Sequence, residues 1–510
     1  MSSILTNNSA MVALQTLKGI NKNMGQIQSE ISTGKSVSSA KDNAAVWAIS
    51  KVMESDVKGF MGISDSLSLG SSTISVARQA SETVTDLLSE IKGKIVSAQE
   101  GNVDREKIQT DITALRDQIK SVTGAAQFNG LNMVKGTDDV SILSSLDRSG
   151  NGNVAASQIT VNRMDLTSEA GKIGTTSETA AAYGTMTDAA GSAVTATTAA
   201  AGQNSTVTFL ASTGVENFTM NINGKQVSYT TGGVEAADDL AASFVGSINA
   251  LGLEGVSAAN TAGVITISNA NAFEAMDVAV SSTVDASLEV TTANGVTLTA
   301  LDNAGKVEQR AETIDFSATA TPVGGDSFTV GIAGQSYSYV AGKGQTMEDV
   351  ARGLKMAIDS AAPTGITTSV QYDEDNESWQ LAVDDATGGR DMGLTVTSGG
   401  EASGGLFGLD GIDVTTDEGA EAALSNIETM ISKSIDAAAS FGSAQNRIEI
   451  QSDFISKLSD TLKSGIGSMV DADMEETSAR LQALQVQQQL GVQALSIANQ
   501  SPQSILSLFR

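Results

Sequence analysis

Residues 46–98 read VWAISKVMESDVKGFMGISDSLSLGSSTISVARQASETVTDLLSEIKGKIVSA, and their apolar residues recur at a regular spacing. Two series of residues run through this stretch at a spacing of seven, one from Val46 to Ile95 and the other from Ile49 to Ala98. Thirteen of these sixteen positions are apolar when alanine is counted, which is the a/d pattern of a coiled coil. About seven such heptads exceed an ordinary globular helix, so the stretch predicts one long helix in a bundle.

Both chain ends carry the same kind of pattern. Residues 10–31 place apolar residues at alternating spacings of three and four, and residues 108–122 do the same in a third helix. Near the other end, a seven-residue series runs from Phe441 to Leu462. The glycines at 465–467 predict a break, after which a last helix carries leucine and isoleucine around more than one face.

The composition excludes several classes of site. The 510 residues include no cysteine and no histidine, so disulfides, imidazole–thiolate metal sites and histidine-dependent triads are ruled out. The formal net charge of −29 is concentrated in residues 138–420, which hold 36 Asp and Glu against 10 Lys and Arg. Such an acidic segment repels nucleic acid and anionic membranes, so we expect neither as a partner. We interpret the middle as facing solvent and the two ends as packed.

The acidic middle contains an internal repeat. FTMNINGKQVSYT at 218–230 and FTVGIAGQSYSYV at 328–340 are offset by 110 residues, and each is followed by an amphipathic helical pattern and an alternating apolar run. Each copy therefore predicts a β-hairpin, a helix and further strands, which make a small α+β domain.

These patterns predict an α+β chain. Its two ends form a long antiparallel α-helical coiled-coil bundle, and small α+β outer domains are inserted in the middle. The predicted divisions are terminal helices from 1–45 with 465–510, an outer helical bundle with a β-hairpin from 46–140 with 420–464, a variable link at 141–204, and outer domains at 205–285 and 313–398.

The outermost segments carry no charge, from Met1 to Leu17 and from Leu481 to Phe509. One chain has too little other surface to bury both, so we expect other copies to cover them, and a heterologous contact that does not close makes a helical filament. Pro502 is predicted to end the last helix and leave SILSLFR as a short apolar cap. The predicted polymerisation interface is Leu5, Leu14, Leu17, Ile20, Met24, Ile27, Ile31, Leu481, Leu484, Leu490, Leu495, Ile497, Ile505, Leu506, Leu508 and Phe509.

Motifs that suggest chemistry are each incomplete. SEISTGKS at 29–36 has serine where a phosphate-binding loop begins with glycine, and DEDNESWQLAVD at 373–384 has serine where a calcium loop needs glycine. We therefore expect no enzyme, no metal and no cofactor. The first residues lack the basic and apolar regions of a secretory signal, and no stretch is apolar enough to insert into a membrane.

Four short motifs together carry a family resemblance. They are SAKDNAA at 39–45, AQFNG at 126–130, DADME at 471–475 and the tail QVQQQLGVQALSIANQSPQSILSLFR. With the helical patterns around them, residues 1–137 and 421–510 resemble bacterial flagellin. The resemblance marks Ser39, Ala40, Lys41, Asp42, Asp471 and Asp473 as a family-signature hinge.

The resemblance implies a structural subunit that polymerises into the flagellar filament, the extracellular helical propeller of swimming bacteria. It implies inner and outer tubes of helices with the middle domains projecting outward. It also implies export through the flagellar type III apparatus without a cleaved signal peptide. The implied partners are other copies of the chain, an export chaperone on the C-terminal segment, and the filament cap and hook–filament junction proteins.

One departure from the family concerns an immune receptor. Many flagellins carry an arginine-bearing stretch that Toll-like receptor 5 reads, and here residues 87–99 read LLSEIKGKIVSAQ. In an ungapped alignment Ser89 and Ile91 replace arginines and Gly93 replaces a leucine, so we expect weak or no receptor recognition. Two alternative functions remain open from the sequence: a hook–filament junction protein, and a filament subunit with adhesive outer domains.

Overall fold

The computed structural model describes residues 7–148, 154–187, 193–198, 203–283, 288–292, 297–298, 304–307, 309–374 and 376–508. Seven α-helices lie within those residues: α1 (Asn8–Thr33), α2 (Ala44–Ala98), α3 (Arg105–Ala125), α4 (Ala237–Ala250), α5 (Met347–Ala361), α6 (Asp417–Val470) and α7 (Met474–Leu508). Within this described part, no helix is both long and apolar enough to cross a membrane.

The same residues form short strands: β1 (Gln127–Phe128), β2 (Leu131–Asn132), β3 (Val140–Arg148), β4 (Val154–Val161), β5 (Thr176–Ser177), β6 (Gly184–Thr187), β7 (Ala193–Val194), β8 (Ala196–Thr198), β9 (Gln203–Phe209), β10 (Asn217–Ile222), β11 (Lys225–Thr230), β12 (Val256–Thr261), β13 (Val264–Asn269), β14 (Met276–Ser282), β15 (Leu288–Thr292), β16 (Thr297–Leu298), β17 (Ala304–Val307), β18 (Glu312–Phe316), β19 (Ser327–Ile332), β20 (Gln335–Val340), β21 (Ile366–Asp373), β22 (Ser378–Asp385) and β23 (Asp391–Ser398).

The long helices are as the heptads predict. α2 and α6 are 55 and 54 residues long, and the fold class of paired terminal helices with a β-rich middle is confirmed. Two predicted interruptions are wrong. α6 continues through the glycines at 465–467 to Val470, since a helical glycine costs only about 1 kcal/mol against alanine and does not by itself end a helix. α7 continues past Pro502 to Leu508.

The chain forms two compact units. The first comprises residues 1–72, 141–160 and 444–510, and the second comprises residues 73–140 and 161–443. In the first unit α1 and α7 pair, and the β3–β4 hairpin lies against α2.

Two glycines make room for the β3–β4 hairpin on α2. A Cβ atom at Gly70 would lie 2.6 Å from Ile142 Cδ1, and one at Gly59 would lie 2.8 Å from Leu146 Cδ1. A side chain at Gly70 would collide with Ile142, three of whose atoms lie within 3.1 Å of the Cβ position, whereas at Gly59 the end of the Leu146 side chain would have to shift. These glycines therefore let the hairpin pack close to the α2 backbone. The heptad pattern alone does not reveal this role.

In the second unit, α2, α3 and α6 bury the predicted heptad face. Ser81 occupies one of the core positions, and its carbonyl oxygen accepts a hydrogen bond from Ser434 Oγ at 3.0 Å. Thr85 Oγ1 donates to the same hydroxyl at 2.9 Å, so α2 and α6 are joined by polar groups that are satisfied within the core. The fully or nearly buried apolar residues include Ile74, Ala77, Val84, Leu88, Ile91, Ile95, Ile112, Ile119, Ala420, Ala423, Ile427, Met430 and Phe441.

The two sequence repeats share the topology of their central strands and helix, whereas their edge strands differ: β15–β17 follow the first repeat in the chain, and β5–β7 precede the second. In the first, α4 packs on a sheet of order β11-β10-β14-β17 and on one of order β12-β13-β9-β15-β16. In the second, α5 packs on sheets β20-β19-β23-β5 and β21-β22-β18-β6-β7. The match extends to single hydrogen bonds at the 110-residue offset. Tyr229 donates to Glu235 at 3.0 Å, and Tyr339 donates to Gln345 at 2.9 Å.

The predicted link at 141–204 differs from the structure over its described residues. β3 and β4 form the hairpin of the first unit, and β6 pairs with β18 while β5 and β8 pair with β23. The segment is therefore partly built into the second repeat and is not a bare connection. Its alanine- and threonine-rich strands carry too weak an apolar alternation to predict a partner more than 100 residues away.

Candidate assembly surface on the terminal helices

The terminal helix pair, α1 with α7, is held by one apolar seam. The residues that face the partner helix are spaced alternately three and four apart on both helices, as in an antiparallel coiled coil. On α1 these half-buried or buried residues are Ala10, Ala13, Leu17, Ile20, Met24, Ile27 and Ile31, and on α7 they are Thr477, Leu481, Leu484, Gln488, Gly491, Leu495 and Ala498.

Small and polar residues shape the middle of this seam. A Cβ atom at Gly491 would lie 3.2 Å from Leu17 Cδ1 and 3.8 Å from Ile20 Cδ1, so this glycine lets two apolar side chains approach the α7 backbone. Gln488 Nε2 donates to Asn21 Oδ1 at 2.7 Å and so helps to fix the register. The apolar pattern of the sequence does not mark Gln488 or Gly491, because hydrophobic periodicity registers neither a glutamine nor a glycine.

Asn7 explains why α7 survives Pro502. Proline has no amide hydrogen, so the carbonyl oxygen of Ala498, four residues earlier, loses its helical donor. Asn7 Nδ2 donates to that oxygen at 2.8 Å, while Asn7 Oδ1 accepts from Ala10 N at 3.0 Å and caps α1. One side chain thus caps the first helix and satisfies the carbonyl that the proline leaves free.

The outward sides of both helices remain apolar and exposed. On α1, Met11 is 62% exposed and Leu14 is 43% exposed. On α7, Val486, Leu490, Val492 and Ile497 are also exposed, Leu490 at 57%. The intervening residues of α7 are mostly glutamine, serine and alanine, with no charge after Arg480 until Arg510. Such a continuous uncharged surface is typical of an interaction face.

The predicted interface residues fall into three groups. One group lies in the seam within a single chain: Leu17, Ile20, Met24, Ile27, Ile31, Leu481, Leu484 and Leu495. A second group points outward: Leu14, Leu490 and Ile497. Leu5 and Phe509 lie outside the described residues, and only the backbone is described for Ile505, Leu506 and Leu508.

The signature hinge consists of two turns tied together. Gly34, with φ of 68°, ends α1, and its carbonyl oxygen accepts from Ala472 N at 3.0 Å. Ser36 N donates to the carbonyl oxygen of Val470 at 2.7 Å. The backbones of Lys35 and Asp471 form an isolated antiparallel β-bridge. The α1–α2 turn and the α6–α7 turn therefore form one small antiparallel pairing.

Two aspartates of the signature organise these turns. Asp42 Oδ2 accepts hydrogen bonds from the amides and hydroxyls of Ser39 and Ser38, at 2.9 to 3.1 Å. The bonds from Ser39, followed by those from Ser38, hold the pKa of the Asp42 carboxyl below its ordinary value. Asp473 Oδ1 accepts from Glu475 N at 2.9 Å and caps α7. Ala40 and Lys41 lie exposed in the α1–α2 turn.

The three positions that differ from the receptor-binding stretch of many flagellins are not equally accessible. Ser89 is exposed and its hydroxyl donates to the Thr85 carbonyl at 2.8 Å, whereas Ile91 is 0% exposed in the bundle core. Gly93 is exposed with open space around its Cα. Only Ser89 and Gly93 of the three can therefore contact a partner on the surface of the single chain.

Within the described residues, no group of three or more aspartates, glutamates, cysteines or histidines is placed to hold a metal ion. On the terminal helices, Asn7 and Asp473 act as caps and Gln488 forms a bond between the two helices.

Comparison with known proteins identifies both chain ends. Residues 4–139 match the bacterial flagellin N-terminal helical region, and residues 424–509 match the bacterial flagellin C-terminal helical region. Flagellin A of Rhizobium meliloti is 32% identical over 518 residues, which cover 100% of each chain. A flagellin of Brucella melitensis is 40% identical over 167 residues, covering 32% of this chain and 59% of the relative.

Two solved structures of lower similarity also match. FlgL from Xanthomonas campestris is 12% identical, with 82% of this chain and 99% of that chain covered and a TM-score of 0.27. The flagellar junction protein FlgL from Legionella pneumophila is 10% identical, with 82% and 98% covered and a TM-score of 0.26. Neither score shows a shared fold over the whole chain.

The full-length identity to flagellins confirms the resemblance that the terminal motifs carry. The chain therefore belongs to the bacterial flagellin family, whose members are the structural, non-enzymatic subunits of the flagellar filament.

Proposed function

We propose that this flagellin joins its neighbours in the filament through the outward sides of α1 and α7. The supporting observation is the uncharged apolar surface left after the seam has formed, with Met11, Leu490 and Ile497 at 62%, 57% and 68% exposure. Several exposed apolar side chains on one uncharged helical surface mark an interaction site. In this proposal the seam residues order the pair, and the outward residues form the contact between subunits.

Deletion of residues 481–510 tests the proposal. We expect the truncated chain to retain the α2–α6 bundle and to stay unpolymerised even with filament seeds, as seen by electron microscopy and sedimentation. Filaments formed by the truncated chain would contradict the proposal.

The outer domains provide a matched control. The segment that leads from the bundle to the outer domains and the segment that leads back lie side by side and antiparallel. Lys172 of the first and Glu401 of the second exchange two backbone hydrogen bonds of 2.9 Å. Replacing residues 174–399 by a short turn would close this pair without moving its ends. We propose that the excised chain still assembles, because both terminal helices are retained. Loss of assembly would assign an essential contact to the outer domains.

The chain is a component of the extracellular flagellar filament. We propose further that it is exported without a cleaved signal, that a chaperone covers its C-terminal segment before export, and that it meets the cap and the hook–filament junction proteins during assembly. The exposed apolar side of α7 supports a chaperone, because such a surface must be shielded before polymerisation. Mass spectrometry of the N-terminal peptide from filaments tests the export route. Filament chains from which a leader segment of the N-terminus has been cleaved would refute it.

Weak or absent recognition by Toll-like receptor 5 is also proposed. Of the three positions that differ from other flagellins, the two exposed ones, Ser89 and Gly93, offer no cationic or large apolar anchor, and hot spots are usually of those types. Purified monomer should give little signal in a receptor reporter assay, with an activating flagellin as the positive control. Full activation at the same concentration would overturn this proposal.

Of the two alternative functions, the junction protein is set aside because full-length relatives are flagellins. One specific observation favours the alternative of adhesive outer domains. Val215 and Val234 are 73% and 76% exposed on neighbouring loops of the first repeat. In the second repeat, the position equivalent to Val215 is Gly325, whose carbonyl oxygen accepts from Gly400 N at 2.8 Å and is covered by that segment. Binding of filaments to surfaces before and after Val215→Ser with Val234→Ser tests this alternative.

A further inference from the structure

Three polar side chains meet where the second repeat packs on the bundle. Lys355 and Asp359 lie one turn apart on α5, and Asn426 lies on α6. Lys355 Nζ is 2.6 Å from Asp359 Oδ2 and donates to Asn426 Oδ1 at 3.0 Å. Asn426 Nδ2 donates to the same Asp359 Oδ2 at 3.0 Å. Each of the three groups therefore contacts the other two.

This cluster is removed from water. Lys355 and Asn426 are each 6% exposed, and the side chain of Asp359 is 7% exposed. The carboxylate cannot turn away, because its other oxygen accepts from Thr368 Oγ1 at 2.5 Å. An ordinary buried ion pair consists of two charged groups and their hydrogen bonds. Here the Lys355 amine also contacts the side-chain carbonyl of Asn426.

The arrangement has the parts of an acyl transfer. A buried lysine amine is a nucleophile once it loses a proton, and the carboxylate that can take this proton lies within hydrogen-bond distance. The electrophile is the carbon that carries Asn426 Oδ1, the atom to which the amine already donates. The leaving amide nitrogen is bonded to the same carboxylate oxygen, so one group can receive and return protons. Holding all three in place replaces a bimolecular step by an intramolecular one.

We propose that Lys355 and Asn426 form an isopeptide bond after the chain folds, with Asp359 as the proton carrier. Asp359 accepts a proton from the Lys355 ammonium, and the neutral nitrogen forms a bond to Asn426 Cγ. The Cγ–Nδ2 bond breaks, and its electron pair leaves with Nδ2. The lysine nitrogen gives up two protons in total, which depart with Nδ2 and its two hydrogens as ammonium. Nothing is oxidised or reduced, and Asp359 returns as a carboxylate.

The product covalently joins the second repeat to the long helix α6. Because the three groups meet only in the folded chain, the unfolded chain stays linear and the bond forms after folding. The reaction is independent of how subunits contact each other, so its test is independent of the proposed assembly surface.

Intact mass spectrometry of the folded full-length chain, denatured immediately before measurement, tests the proposal. The expected mass is lower than the sequence mass by one ammonia molecule, and tandem spectra of a digest should contain Lys355 joined to Asn426. A chain at its full sequence mass, or an ammonia loss located at another asparagine, would overturn the proposal. This measurement needs no variant, so failure of a variant to fold cannot obscure it.

Variants then assign the roles. Lys355→Met, Asn426→Ala and Asp359→Asn should each restore the full mass in chains whose circular dichroism matches the parent. The matched control is Lys433→Met, which removes the neighbouring ion pair between α6 and Asp349 of α5 and leaves the three groups intact. It should keep the cross-link. A folded Asp359→Asn chain that still cross-links completely would refute the role of Asp359.

Discussion

Replacing Leu490 by alanine isolates the outward side of α7 from its seam. Leu490 is 57% exposed, so about half of the roughly 1.5–3 kcal/mol available from burying a leucine remains for a contact with another subunit. The substitution should remove about 1 kcal/mol per subunit from assembly, which corresponds to an increase of about fivefold in the critical concentration. Alanine also has high helix propensity, so α7 itself should not be weakened.

The assay is seeded polymerisation followed by sedimentation at several protein concentrations. Gln487→Ala is the matched control, because Gln487 is exposed on the same helix and is polar. The monomer melting curve should be the same for both variants and the parent. If Leu490→Ala shows the critical concentration of Gln487→Ala, the outward side of α7 is not a subunit contact at this position.

Three other perturbations test the supporting structure. Gly70→Ala should destabilise the monomer by about 1–2 kcal/mol, because the new methyl group collides with the hairpin. Gly62→Ala is the control: it has open space around it and should stabilise the same helix by up to about 1 kcal/mol. Equal melting shifts in the two variants would contradict the packing role of Gly70. Asn7→Ala should raise the critical concentration by removing a cap worth about 1 kcal/mol, and adding Pro502→Ala, which restores a backbone donor, should recover part of the loss. Asp42→Asn should speed amide exchange in the α1–α2 turn at neutral pH. In the parent, the protection of this turn relative to intrinsic exchange should fall as the pH drops through the lowered pKa of Asp42, because a depressed carboxyl pKa contributes stability that is fully present above the unfolded-state pKa and is lost as the pH falls through the folded-state pKa.

The helices were the most predictable part of the fold. Apolar residues seven apart over dozens of positions leave no other regular structure, and α2 and α6 follow them closely. The errors concern single residues whose effect depends on distant partners. Pro502 does not end α7, because a side chain almost 500 residues away satisfies the carbonyl that it frees. No local pattern carries that information.

The candidate site was predictable in composition and not in geometry. The absence of charge marks the terminal segments, but apolar residues on several faces of α7 do not reveal which face meets α1. The structure assigns Leu484 to the seam and Leu490 to the outside, and it adds Gln488 and Gly491 to the seam. Those two were missed because a polar residue and a glycine contribute through a hydrogen bond and close approach, which hydrophobic periodicity does not register.

The adjacent strands at Lys172 and Glu401 also bear on how such a chain can vary. Because both ends of the outer region meet at one hydrogen-bonded pair, a folded insert of any size whose termini are neighbours can be accommodated there without straining the bundle. The entropy of closing even a flexible insert grows only with the logarithm of its length. The position is therefore a natural point for exchanging whole domains, or for displaying a foreign one, while the terminal helices keep their sequence.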